Sequence, residues 1–181
     1  MKLSRAQSVA AAHNDPAAFE DAIRAWRTQG GKGTAWIAVE SLYSMDGDTA
    51  PLAELMAVAE RHDAMLIVDE AHATGVFGER GQGLATPGER VVTLHTCGKA
   101  LGCEGALVAG PAIVRDYLVN RGRGFIFSTA PSPSWRAGCA RPCASSPTSP
   151  NGGPHSTSGS RWRESVWRNR ARWRTARLSC R

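Results

Sequence analysis

Apolar positions along this chain keep first a helical period, then a strand period, and finally neither. Phe19, Ile23 and Trp26 recur at helical spacing behind a cap at Asn14 or Asp15 and a helix-opening Pro16, and Gly30 with Gly31 ends the run. Thr34 to Val39, "TAWIAV", reads as a strand. After the turn-rich "SMDGDTAP", Leu52, Leu55, Met56 and Ala59 stripe a second helix that begins near Pro51 and ends around His62. "MLIVDE", Met65 to Glu70, is a short apolar run of the kind buried on both faces of a parallel sheet. A glycine-rich loop from Gly75 to Gly88 follows. Beyond it the pattern predicts strands at Val91 to His95 and Ala106 to Ala109, a helix from Pro111 to about Asn120, and an extended "GFIFSTAPSP". Strands separated by helices predict an α/β fold with a mostly parallel sheet and flanking helices.

The last quarter breaks this grammar. From Ser134 to Arg181 only Val166 and Leu178 are branched aliphatic residues, so the tail cannot build a core. The net charge of +6 belongs to it alone: residues 1 to 133 carry 12 Lys and Arg against 15 Asp and Glu, whereas residues 134 to 181 carry 10 Arg against the single acid Glu164. Two domains follow, 1–133 as a folded α/β unit and 134–181 as a basic, irregular tail. Arginines interleaved with tryptophans could hold single-stranded nucleic acid. A shifted reading frame in GC-rich coding sequence yields the same mixture of Arg, Pro, Ser, Cys and Trp, and is the reading preferred here. Cys139, Cys143 and His155 lack the fourth ligand and the spacing of a zinc site, so no metal is expected. Five cysteines, an odd number, and no apolar signal segment at the N-terminus predict reduced thiols and a cytoplasmic protein with no membrane span.

Ligands of open parallel sheets bind beyond the carboxyl ends of the strands. Three polar clusters fall at such ends: Ser41 to Asp48, Asp69 to His72, and Thr96 to Lys99. "VDEAH" matches the magnesium-binding box of some helicases, but that chemistry needs a Gly-x-x-x-x-Gly-Lys-Ser/Thr phosphate loop. Neither "TQGGKGTAW" nor "CGKAL" supplies one, because Gly33 and Ala100 stand where the hydroxyl residue belongs. A carboxylate, a histidine three residues on, and a lysine at the next strand end are instead what pyridoxal phosphate requires. An aspartate about 4 Å from a pyridinium contributes roughly 4 kcal/mol at an effective dielectric near 20, enough to keep the ring nitrogen protonated. Lys99, crowded by glycine and alanine, is the amine such a pocket needs.

"SLYSMDGD", "VDEAHATGVFGERGQG", "HTCGKALGCEGALVAG" and "GFIFSTAPSP" resemble, in order and spacing, the α-oxoamine synthases, pyridoxal-phosphate enzymes of the aspartate aminotransferase fold type. The likeness runs from about Thr34 to Pro133, more weakly from Asn14, and is nearest to the branch acting in biotin synthesis, toward which Thr74 leans. It implies Lys99 as the Schiff-base lysine that also moves the substrate proton, Asp69 against the ring nitrogen, and His72 on the phenolic oxygen with Ser44 nearby. Thr96 would bind the phosphate, and Thr129 would reach a phosphate across a homodimer interface. Lys99, His72 and Asp69 are the catalytic candidates, with Glu70 a structural residue beside them. The implied reaction is decarboxylative condensation of an amino acid with an acyl thioester, L-alanine with pimeloyl-coenzyme A. Glycine with acetyl- or succinyl-coenzyme A, or serine with a long acyl chain, is the alternative within the family. Relatives carry a longer N-terminal portion with a ring-stacking histidine, a role His13 does not fill, and a C-terminal small domain. The chain is therefore expected to be a fragment of the large domain, inactive alone, with nucleic-acid binding unlooked for.

Overall fold

The computed structural model describes residues 6–130. The basic tail from Ser134, its cysteines and His155 lie outside the described residues. The first helix, α1 (Pro16–Thr28), is capped by Asp15, whose carboxylate accepts the N–H groups of Ala17 and Ala18. Asn14 is not the cap: it takes a left-handed backbone conformation and turns its amide to Asp48 and the Thr49 carbonyl. Strand β1 (Trp36–Glu40) leads through α2 (Leu52–Arg61) into β2 (Met65–Asp69), and a long loop joins β2 to β3 (Val91–Thr96). Strand β4 (Ala106–Ala109), α3 (Ala112–Arg121) and a single turn, α4 (Arg123–Ile126), complete the described chain.

The sheet order is β1-β2-β3-β4, with β1, β2 and β3 parallel and β4 antiparallel at the edge. A mostly parallel sheet is thus what the strand and helix alternation predicted. The "GFIFSTAPSP" segment departs from expectation, because residues 123–126 are helical rather than extended. No strand among the described residues runs beside them, and their N–H groups are satisfied locally, Phe125 and Ile126 both donating to the Gly122 carbonyl.

Strand pairing gives the sheet two unlike faces. On one, Ile37, Leu66 and Val91 lie in one row and Val39, Val68 and Thr93 in the next. That face packs under Ile23 of α1 and Leu55, Val58 and Ala59 of α2, and every one of these residues is buried. Val58 joins this core although the helical stripe pointed to Leu52 and Met56, which are only partly buried. The other face carries Trp36, Ala38, Met65, Ile67, Val92 and Leu94, and of these Val92 alone is fully buried. The expectation that "MLIVDE" is buried on both faces is therefore corrected to an alternation, since α1 and α2 cover one side only. No described helix is long and apolar enough to cross a membrane.

Candidate functional site

Because β1, β2 and β3 run the same way, their carboxyl ends share one edge of the sheet, and there the polar clusters meet. Asp69 and Glu70 are neighbours in sequence and opposites in setting, since successive residues of a strand face opposite sides. Glu70 turns to the packed face and is fully buried. Its carboxylate accepts the Ser41 hydroxyl at 2.7 Å, the Leu84 N–H at 3.0 and 3.1 Å, and the Ala85 N–H at 2.5 Å. It thus ties the end of β1 and the far side of the glycine-rich loop to the end of β2, the structural role expected of it. Gly83 makes the approach possible: a Cβ there would stand 2.2 Å from a Glu70 oxygen, and its φ of +94° is one that other residues avoid.

Asp69 turns to the open face and is half-buried. One carboxylate oxygen accepts the Ala71 N–H at 2.9 Å, turning the chain so that His72 follows on the same edge. Lys99 arrives from the neighbouring strand. Thr96 ends β3, and its hydroxyl accepts the Gly98 N–H at 3.2 Å, which starts the turn that carries the lysine. Lys99 Nζ then stands 2.6 Å from His72 Nε2. The glycine-rich loop presses against this turn at Gly75, where a Cβ would come within 2.9 Å of the Ala100 methyl. Asp69, His72, Thr96 and Lys99 are accordingly gathered on one edge.

Ser44 and Thr129 are placed differently. Ser44 is exposed in the turn after β1, its N–H donating to Glu40 Oε2 at 3.2 Å. Sequence reasoning missed what steadies that turn: His13 Nε2 is 2.7 Å from Asp48 Oδ2, Asn14 donates to the same oxygen at 2.6 Å, and the His13 ring meets Tyr43 edge-on. Thr129 is exposed beyond α4, and no hydrogen bond joins it to the Lys99 edge. The second residue missed is His95. Its ring lies between the hydroxyls of Thr74 at 2.9 Å and Thr93 at 2.8 Å, and burial lowers its pKa against the pull of Glu70 and Asp69. Thr74 is buried and donates to the Glu70 carbonyl, so its role among the described residues is structural. The only sequence signal for this network was a histidine inside an apolar strand.

An amine, an imidazole and a carboxylate on one sheet edge, beside a threonine hydroxyl and glycine-lined backbone, suit a ligand carrying an aldehyde, a ring nitrogen and an anion. A family model described as aminotransferase class I and II matches residues 1–142. The 8-amino-7-oxononanoate synthase of Bordetella petrii is 48% identical over 137 residues, 74% of this chain and 34% of its own. That of Mycolicibacterium gilvum is 45% identical over 138 residues, 74% of this chain and 35% of its own. The chain spans about a third of the length of these curated relatives. Among solved structures, Sphingomonas wittichii serine palmitoyltransferase superposes with a TM-score of 0.66 at 28% identity, over 78% of this chain and 36% of that one. The Francisella tularensis 8-amino-7-oxononanoate synthase gives 0.60 at 27%, over 76% and 39%. With more than half its length matched by the family model and the sheet edge built as described, the chain belongs to the aminotransferase class I and II family.

Proposed function

We propose that residues 1–133 are part of the large domain of a pyridoxal-phosphate-dependent acyltransferase that condenses L-alanine with a pimeloyl thioester, with loss of carbon dioxide, in biotin synthesis. The observation that carries this reading is Lys99 Nζ at 2.6 Å from His72 Nε2, with Asp69 at the end of the adjacent parallel strand. The similar proteins named 8-amino-7-oxononanoate synthase support the choice of reaction. The residues fit the cofactor: one primary amine in a turn of small residues, one imidazole in contact with it, and a carboxylate whose second oxygen has no donor among the described residues. When bound, pyridoxal phosphate supplies an electron sink for charge developing at a substrate carbon.

Each side chain has a separate task. Lys99 would hold the cofactor through its amine and carry a proton to or from the substrate carbon. Asp69 holds the ring nitrogen protonated, and His72 with Ser44 orients the phenolic oxygen. Thr96, at the carboxyl end of β3 where the Lys99 turn begins, would hold the phosphate through its hydroxyl. Thr129 would complete the phosphate site of a second copy in a homodimer. We place the protein in the cytoplasm.

Absorbance tests this reading directly. Pyridoxal phosphate added to the purified chain should give a visible band that is lost in Lys99→Ala and weakened in Asp69→Ala. A folded sample with no band at any cofactor concentration overturns cofactor binding by this chain.

A further inference from the structure

Lysines at protein surfaces ordinarily face water or a carboxylate. Lys99 does neither alone: its Nζ lies 2.6 Å from an imidazole nitrogen, and no carboxylate is within ion-pair distance of it among the described residues. An ammonium has donors only, so the lysine donates and His72 Nε2 accepts, which leaves the ring proton on Nδ1. The pair is therefore an acid whose side-chain partner among the described residues is a base.

We propose that His72 is the proton acceptor that arms Lys99 for attack on an aldehyde, so that the chain carries its own base for capturing a carbonyl ligand. The inference deepens the cofactor reading above and rests on it for the identity of the natural aldehyde. An ammonium cannot attack a carbonyl. In the step inferred, the Lys99 ammonium gives one proton to His72 Nε2, and the freed lone pair forms a bond to the aldehyde carbon. The two hydrogens left on nitrogen then depart with the aldehyde oxygen as water, leaving a C=N bond and a protonated His72. No oxidant, metal or second protein is required. The arrangement is held by two independent devices. The Asp69 to Ala71 turn fixes His72, and the Thr96 to Gly98 turn, backed by Gly75 against Ala100, fixes Lys99.

The chain contains its own control, because its only other lysines are Lys2 and Lys32. Reductive methylation with formaldehyde and cyanoborohydride at neutral pH, followed by peptide mass spectrometry, reads the initial rate at each. Base assistance predicts Lys99 modified about a hundredfold faster than the exposed Lys32 in the unsubstituted protein, at the low end of what a positioned base contributes. His72→Gln, which keeps a polar side chain but no base, should bring Lys99 down to the rate of Lys32. In His72→Ala, added imidazole should restore the Lys99 rate without changing that of Lys32, a rescue that mere side-chain positioning would not show. Equal rates at Lys99 and Lys32 in the unsubstituted protein overturn the proposal without any variant, and so does a wild-type ratio kept by His72→Gln. Repeating the labelling with pyridoxal phosphate and borohydride separates the two readings. If that aldehyde spares Lys99 while formaldehyde shows the His72 dependence, the cofactor assignment falls and the proton transfer stands.

Discussion

The two faces of the sheet are built from the same strands and have opposite characters. The face under α1 and α2 is closed and satisfied: aliphatic residues fill it, and at its carboxyl end a buried carboxylate, Glu70, has every hydrogen bond it needs. The opposite face is open, with Trp36 51% exposed and apolar Val108 on β4 uncovered. The same alternation that sends Glu70 inward sends Asp69, one residue earlier, outward. A strand end thereby supplies one carboxylate to hold the loop and another to meet a ligand. Structure is concentrated on one side so that chemistry can be kept on the other.

The largest effect should come from exchanging the two acids. Glu70→Ala leaves two part-buried N–H groups and the buried Ser41 hydroxyl without an acceptor, and should cost about 4 kcal/mol in urea unfolding. Asp69→Ala removes one half-buried hydrogen bond and should cost about 1 kcal/mol, while weakening the cofactor band. Similar costs for the two would break the distinction between the faces. Next is the pair on β1: Ile37→Ala should cost about 3 kcal/mol from the closed face, and its neighbour Trp36→Ala under about 1 kcal/mol from the open one. Equal losses of thermal midpoint would show that the open face is covered in solution.

Two pH effects sharpen the picture. Burial lowers the His95 pKa below the ordinary 6.5, so the folded chain binds its proton less readily than the unfolded chain does. The stability this preserves is complete above 6.5 and is lost as pH falls below it, and His95→Gln should flatten that part of the curve. The smallest effect lies where α1 meets α2. Hydrogen bonds from Arg61 and then His62 hold the Glu20 carboxyl down from 4.5 to about 2. Its contribution is therefore complete above 4.5 and disappears as pH falls from there toward 2, a slope that Glu20→Gln should remove in acid titrations followed by circular dichroism.

Much of the closed face was legible in the sequence. Ile23, Leu55 and Ala59 sit at helical spacing and are buried, and the strands fall within a residue or two of the apolar runs, because backbone period and side-chain hydrophobicity agree locally. The residues of the candidate site were legible as motifs at strand ends, and parallel pairing put Asp69, His72, Thr96 and Lys99 on one edge. Neither Ser44 nor Thr129 has a bond to that edge, since both lie on turns beyond the sheet. The helical turn at 123–126 was misread because strand propensity is expressed only beside a partner strand, and among the described residues β4 has none on its outer side.

The sequence by itself determined the order of strands and helices, the capped start of α1, and the residue types gathered where strands end, since these depend on neighbours within a few positions. Tertiary structure alone decided which side of each strand is covered, that Glu70 is sealed while Asp69 is open, that His95 is held between two hydroxyls, and that Lys99 rests on His72. Those outcomes depend on contacts between residues 14 to 29 positions apart, whose pairing is fixed by strand register and loop closure rather than by local propensity.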